Sequence, residues 1–244
     1  MAQAKAVTTI NHDMGALVKG VFSDDSWRMK TGIGGIISAA MVLVLLYNAI
    51  CLPVSVALWA VLIGYNLRCI RARVEDPAGK LPEWNEWGDL FMSGITWIAL
   101  QTGVWLLLFG ICSGLLLVAA GFALNEQNLM LTQLLSTSAA VISILLYLAM
   151  GFISSYLMVN FAVEANINAG FAYIKVIKAL SKNPLHLFTG FILATGFFSL
   201  CLILPTITII GFFLLPSFFF LGNVISSLIL GQHWAEINQS EKSD

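Results

Sequence analysis

The chain has 244 residues, of which 59% are hydrophobic and 10% charged, with a formal net charge of -1 and a mean hydropathy of +0.88. A soluble domain carries about 25% charged residues, so too little charge is present to clothe a surface facing water, and lipid is the solvent the composition demands. The near-zero net charge gives no bulk attraction for nucleic acid.

A helix that crosses about 30 Å of hydrocarbon at 1.5 Å per residue needs about 20 apolar residues. The first thirty residues are polar and mixed, with Asp13, Asp24 and Asp25 among lysines, and lack the basic-then-apolar pattern of a cleavable signal. Targeting is therefore expected to use the first span, Thr31 to Ile50. A second run, Val54 to Leu67, stops at Arg68, whose long stem can snorkel. The third extends from about Phe91 to Leu124 and the fourth from about Leu134 to Val163. The fifth runs from Leu185 to Leu204 and the sixth from Thr206 to Leu230, divided at Pro205. These last two also admit a reading as one kinked segment or a re-entrant pair.

The basic residues support six spans. Lys5, Lys19, Arg28 and Lys30 precede the first, Arg68, Arg71, Arg73 and Lys80 separate the second from the third, Lys175, Lys178 and Lys182 separate the fourth from the fifth, and Lys242 follows the sixth. The joints at Asn125 to Asn128 and Leu204 to Thr206 carry no lysine or arginine. Six spans put every basic segment on one side, which the positive-inside rule makes cytoplasmic, with both termini there. The expected architecture is thus an all-α polytopic bundle: a cytoplasmic segment 1–30, one membrane domain 31–230 of six helices, and a cytoplasmic tail 231–244.

Two cytoplasmic segments read as amphipathic helices. From Leu81 to Phe91, Trp84, Trp87 and Phe91 recur at i, i+3 and i+7, with Pro82 suited to the first turn. From Ala169 to Leu180, Tyr173, Val176, Ile177 and Leu180 share one side and Lys175, Lys178 and Lys182 lie on another, with Asn183-Pro184 as the stop. Tryptophans and lysines so placed suit the membrane–water boundary and its anionic headgroups. The words Leu90-Phe91-Met92-Ser93-Gly94 and Leu187-Phe188-Thr189-Gly190 enter the third and fifth spans alike, which suggests a loose duplication.

Chemistry is sparse. No ionisable residue lies deep in a span; the deeper polar groups are neutral, namely Asn48, Gln101, Asn160 and Asn223, suited to hydrogen bonding between helices or to lining a path. Cys51, Cys69, Cys112 and Cys201 have no metal-type spacing, and His12, His186 and His233 stand far apart, so no metal or cofactor is expected. The acidic cluster Glu83, Glu86 and Asp89 has no nucleophile beside it, and Glu164 to Asn168 reads as a solvated helix end. Gly34-Gly35 and Gly110-Ile111-Cys112-Ser113-Gly114 read as close helix packing, the latter within or between subunits.

One stretch is more specific. Gly64-Tyr65-x-x-Arg68-x-x-Arg71, followed by Leu81-Pro82-Glu83-Trp84-x-x-Trp87-Gly88-x-Leu90-Phe91-x-x-Gly94, resembles the signature of the domain of unknown function 4013 family of prokaryotic membrane proteins. Asp25-Ser26-Trp27, Ala169-Gly170-Phe171 and Asn183-Pro184 extend the resemblance. It implies a multi-span fold and a bacterial or archaeal membrane, and no activity. The expectation is a non-enzymatic subunit, scaffold or assembly factor in contact with the lipid bilayer and with membrane-protein partners. Arg68, Arg71, Arg73, Pro82, Trp84, Trp87, Phe91, Lys175, Lys178 and Lys182 are its candidate docking residues; the alternative is a carrier or channel for a lipid or small apolar solute.

Overall fold

The computed structural model describes residues 19, 21–47, 49–76, 80–125 and 129–243. Lys5, His12, Asn48 and the centre of the joint at 126–128 lie outside these. The elements in order are α1 (Trp27–Tyr47), a 3-10 turn (Ala49–Cys51), α2 (Leu52–Glu75), α3 (Trp87–Asn125), α4 (Leu129–Glu164), a 3-10 turn (Ile167–Phe171), α5 (Tyr173–Lys182), α6 (Pro184–Thr206) and α7 (Ile209–Ser243). No strand occurs among the described residues. Six of these helices are long and apolar enough to cross a membrane: α1, α2, α6, and the stretches Trp87–Phe122 of α3, Met130–Glu164 of α4 and Phe213–Ile237 of α7.

The fifth and sixth spans are separate helices, and the chain reverses just beyond Pro205, which stays in the last turn of α6. Thr208 Oγ1 accepts the Gly211 N–H at 2.9 Å and starts the return. A side chain at Gly211 would meet the Pro205 carbonyl, so the tight reversal requires glycine.

Two boundaries move. α2 does not stop at Arg68 but continues to Glu75, which puts Arg68, Arg71 and Arg73 on helix rather than in a loop. α7 continues to Ser243, and Trp234, Ala235 and Ile237 are buried, so the residues just past Leu230 belong to the bundle and not to a free tail.

α2 and α7 are the central helices: α2 packs against α1, α3, α4 and α7, and α7 against α1, α2, α4 and α6. Lipid tails are as apolar as leucine, so these contacts rest on close packing and interhelical hydrogen bonds rather than on expulsion of water. The closest approach is between α2 and α3. A Cβ on Gly64 would lie 1.9 Å from the Leu90 carbonyl oxygen, and one on Gly94 1.8 Å from that of Ala60. α1 meets α7 through Gly34 against Phe220 and Gly35 against Ser217. Gly110 and Gly114, by contrast, have open space where a Cβ would stand, so that motif makes no close packing within the chain.

Contacts show which ends lie together. Lys30 of α1 reaches Glu83 before α3, Arg71 of α2 reaches the Ala162 carbonyl of α4, Arg73 reaches Gln232 of α7, and His186 of α6 reaches Glu236 of α7. One end of the bundle therefore gathers the charges, as six alternating spans require. The tightest core sits toward this end: Tyr65, Ile70, Leu90, Tyr156, Leu157, Leu187 and Ile229 are almost fully buried. Farther along α3 and α4, Leu107, Phe109, Leu117, Ile144, Leu145 and Leu148 face outward, which is the surface lipid solvates.

Gly94→Ala is expected to force α2 and α3 apart and to cost about 2 kcal/mol or more, at the upper part of the range for overpacking. Gly110→Ala should leave the melting midpoint unchanged or slightly raised, since alanine is the better helix former by about 1 kcal/mol. Thermal unfolding in detergent distinguishes the two.

Candidate docking face at the charged end

The Leu81 to Phe91 segment is not one amphipathic helix. Helix begins at Trp87, and residues 80–86 form an extended strap. Its carbonyls bond to side chains of neighbouring helices. Leu81 O accepts from Lys30 Nζ at 2.6 Å, Pro82 O from the Tyr65 hydroxyl at 2.9 Å, and Asn85 O from Arg68 at 3.0 Å. Side chains of α1 and α2 thus satisfy carbonyls that have no helical partner. Glu86 then adopts a left-handed conformation (φ 52°), and its carbonyl accepts the Leu90 N–H at 3.1 Å to open α3.

Lys30 organises this end. Its ammonium is 2.8 Å from Asp24 Oδ2 and 2.7 Å from Glu83 Oε1, and both Lys30 and Asp24 are buried, at 2% and 3% exposure. Burial alone would raise the Asp24 carboxyl. The hydrogen bond from Lys30, and those from the Ser26 hydroxyl and amide, outweigh burial and hold its pKa well below the usual carboxylate range. The Lys30 carbonyl accepts from Trp84 Nε1 at 3.0 Å. Trp84 in turn lies flat on Tyr65, with ring centroids 4.0 Å apart, and contacts Phe220 of α7.

The other half of the end is tied similarly. The Tyr156 hydroxyl of α4 donates to Leu187 O at 2.6 Å, and Asn160 to Ala169 O at 2.9 Å. The His186 and His233 rings lie with centroids 4.7 Å apart, tilted by 35°, with His186 Nε2 3.2 Å from Glu236. The two LF words both sit where a span starts against a buried leucine, Leu90 and Leu187, and a glycine at a helix contact, Gly94 and Gly190.

The candidate residues divide by geometry. Arg68 is engaged by Glu86 at 3.1 Å, Arg71 by Ala162 O at 2.8 Å, Arg73 by Gln232 at 3.1 Å, and Pro82 and Trp84 by the strap contacts above. These five build the frame. Trp87 is about half exposed and stacks on Trp84; Phe91 is partly buried. Lys175, Lys178 and Lys182 are exposed, with Lys175 paired to Glu164. On α5, Val176 is buried, whereas Ile174 and Ile177 point outward at 73% and 49% exposure. Ile177 therefore does not join Val176 on the buried side, since neighbouring residues of a helix with 3.6 residues per turn point about 100° apart.

Between α2, the start of α3 and the end of α4 lies a cavity of about 400 Å³. Arg68, Arg71, Glu86, Asp89, Ser93 and Ile167 line it, so it connects the strap with the turn that leads into α5. No group of three or more potential metal ligands occurs among the described residues. Sequence reading did not single out Lys30 with Asp24, or His186 with Glu236. The spacing of Leu230, Trp234 and Ile237 at i, i+4 and i+7 was the available sign that α7 continues far enough to bring Glu236 to His186.

Six apolar spans and a charge-gathering end define a multi-pass membrane protein. The family model for a protein of unknown function, domain of unknown function 4013, matches residues 47–215, more than half of the chain, and the chain belongs to that family. No curated protein and no solved structure shows significant similarity to it. The match contains the Leu81 to Gly94 strap and helix start but not Asp24, Lys30, Phe220 or Glu236.

Lys30→Met leaves the Asp24 carboxylate buried without its partner and is expected to cost roughly 3–5 kcal/mol, more than Lys30→Met combined with Asp24→Asn. The depressed Asp24 pKa contributes stability at neutral pH that is lost as pH falls below its ordinary value of about 3.9. Melting curves from pH 7 to pH 3 should show the onset of this acid loss in the wild type and a smaller decline in Asp24→Asn.

Proposed function

We propose that the chain is a non-enzymatic subunit, scaffold or assembly factor of a membrane complex, and that its charged end is cytoplasmic and docks a protein partner. The observation that carries this is α5: Ile174 and Ile177 stand exposed beside Lys175, Lys178 and Lys182, at an end where Arg68 and Arg71 are engaged within the chain. A helix so short and already partly neutralised by Glu164 is a weak anchor for anionic headgroups. Asp89 on the cavity wall adds negative charge at this end. A surface of mixed sign around an apolar patch fits a protein with complementary charges, since charge pattern sets register and partner choice. Trp87 and the adjoining cavity suit an aromatic or arginine anchor from that partner.

The orientation rests on the positive-inside rule. In right-side-out vesicles, Lys178→Cys is expected to resist a membrane-impermeant maleimide and to react once the vesicles are inverted. Labelling from outside would reverse the topology.

For docking, crosslinking in native membranes followed by gentle purification should yield a stoichiometric protein partner. Trp87→Ala with Ile177→Glu is expected to weaken retention at least tenfold, the loss typical of removing interface anchors, while the variant keeps the wild-type melting midpoint. Isolation of the wild type as a lone protein counts against the reading. The alternative of a carrier or channel for a lipid or small apolar solute draws support from a cleft within the spans, and protein-dependent flux in liposomes is its test.

A further inference from the structure

Within the spans, α2, α3 and α4 enclose a cleft of about 630 Å³ lined by Trp59, Trp97, Trp105 and Tyr147. Tryptophan ordinarily sits at the membrane boundary. Here Trp97 and Trp105 lie ten and eighteen residues into α3, roughly 15 and 27 Å along its axis. Between them Gln101 reaches the cleft, 8% exposed, and accepts from the Ser154 hydroxyl at 3.0 Å. The Gln101 amide nitrogen is buried with no acceptor. Two N–H donors left unpaired away from water are costly. The broad, roughly two-fold terminal torsion of glutamine lets them turn toward a ligand in the cleft with little strain.

We propose that this cleft binds a lipid-soluble ring carbonyl compound of the prenylquinone class, its carbonyl oxygen accepting from Gln101 and its ring lying among the tryptophans. The chemistry follows from the lining. A donor without an acceptor selects a ligand oxygen, aromatic walls select a flat ring, and a cleft open to lipid admits an apolar tail. Gln101 lies roughly 20 Å along α3 from the charged end, deeper than the ester carbonyls of bilayer lipids, which stay near the headgroups. The volume is within the range of small-molecule sites, about 300–1,000 Å³. This inference is independent of the docking reading, because it uses neither α5 nor the strap.

The test is titration of the purified full chain in dodecylmaltoside with a decyl-substituted benzoquinone, read by tryptophan fluorescence, with dioleoylglycerol as the comparison ligand. Saturable quenching is expected, about tenfold weaker in Gln101→Leu, as the loss of one hydrogen bond implies. Gly151→Leu fills the cleft from a position where an added Cβ meets open space, so it should fold normally and abolish saturable binding. If Gln101→Leu does not fold, Gly151→Leu decides alone. Quenching that rises linearly without saturation, equal affinity in Gly151→Leu, or saturable binding of dioleoylglycerol in place of the quinone would overturn the proposal.

Discussion

An ammonium group taken out of water needs its charge neutralised and its donors satisfied, and Lys30 meets that demand by drawing two separate pieces of chain onto α1. Asp24 supplies charge from the segment before α1, Glu83 supplies it from the strap, and Leu81 supplies a carbonyl. The strap stays out of helix from residue 80 to 86, where Pro82 has no backbone N–H to give and turns the residue before it away from the α region. Its departure from helix brings Trp84 down onto Tyr65 and its indole N–H onto the Lys30 carbonyl. α1, α2, α7 and the entry to α3 are thereby fixed relative to one another through one buried cation and one aromatic stack. A buried ion pair is weak evidence for net stability, but it is intolerant of alternatives. Its role here is to specify how the strap lies.

Farther into the membrane the governing constraint changes. Lipid offers no hydrophobic drive for helix association, so α2 and α3 adhere where glycine lets backbones touch, at Gly64 and Gly94. Farther along, α3 and α4 turn large apolar side chains outward. The tryptophan-lined cleft lies between α2, α3 and α4 in this region. Glycine governs the contact and aromatic side chains line the opening beside it.

The number of spans and the gathering of basic residues at one end were legible in the sequence because hydropathy and charge act over windows of about twenty residues. The strap was not. Trp84, Trp87 and Phe91 fit a helical face, yet Trp84 and Trp87 stack from a strap and a helix start, a geometry that the same spacing allows. The strap is held by Lys30 bonding a backbone carbonyl 51 residues away, and such a contact leaves no mark in a sequence. Arg68 was read as the end of a span because a charge stops an apolar window. Helix needs only that the charge find a partner, which Glu86 and Asn85 provide. His186 and His233 were dismissed for their separation, although antiparallel neighbours bring distant positions level.

The division among the candidate residues also bears on how such an end can work. Arginines committed to carbonyls and carboxylates of their own chain cannot exchange those partners cheaply for a ligand, because each leaves an acceptor unsatisfied behind it. Arg68 and Arg71 therefore shape the cavity without being free agents within it. The side chains able to meet an incoming surface lie outside those bonds: Ile174, Ile177 and Lys178 on α5, and Trp87, which stacks on Trp84 at the start of α3. Under the proposed docking, a partner that engaged both sets would read the spacing between α5 and the start of α3. Rigidity of the Lys30 frame then becomes part of recognition, since a strap free to move would have to be ordered at the moment of binding and would weaken it.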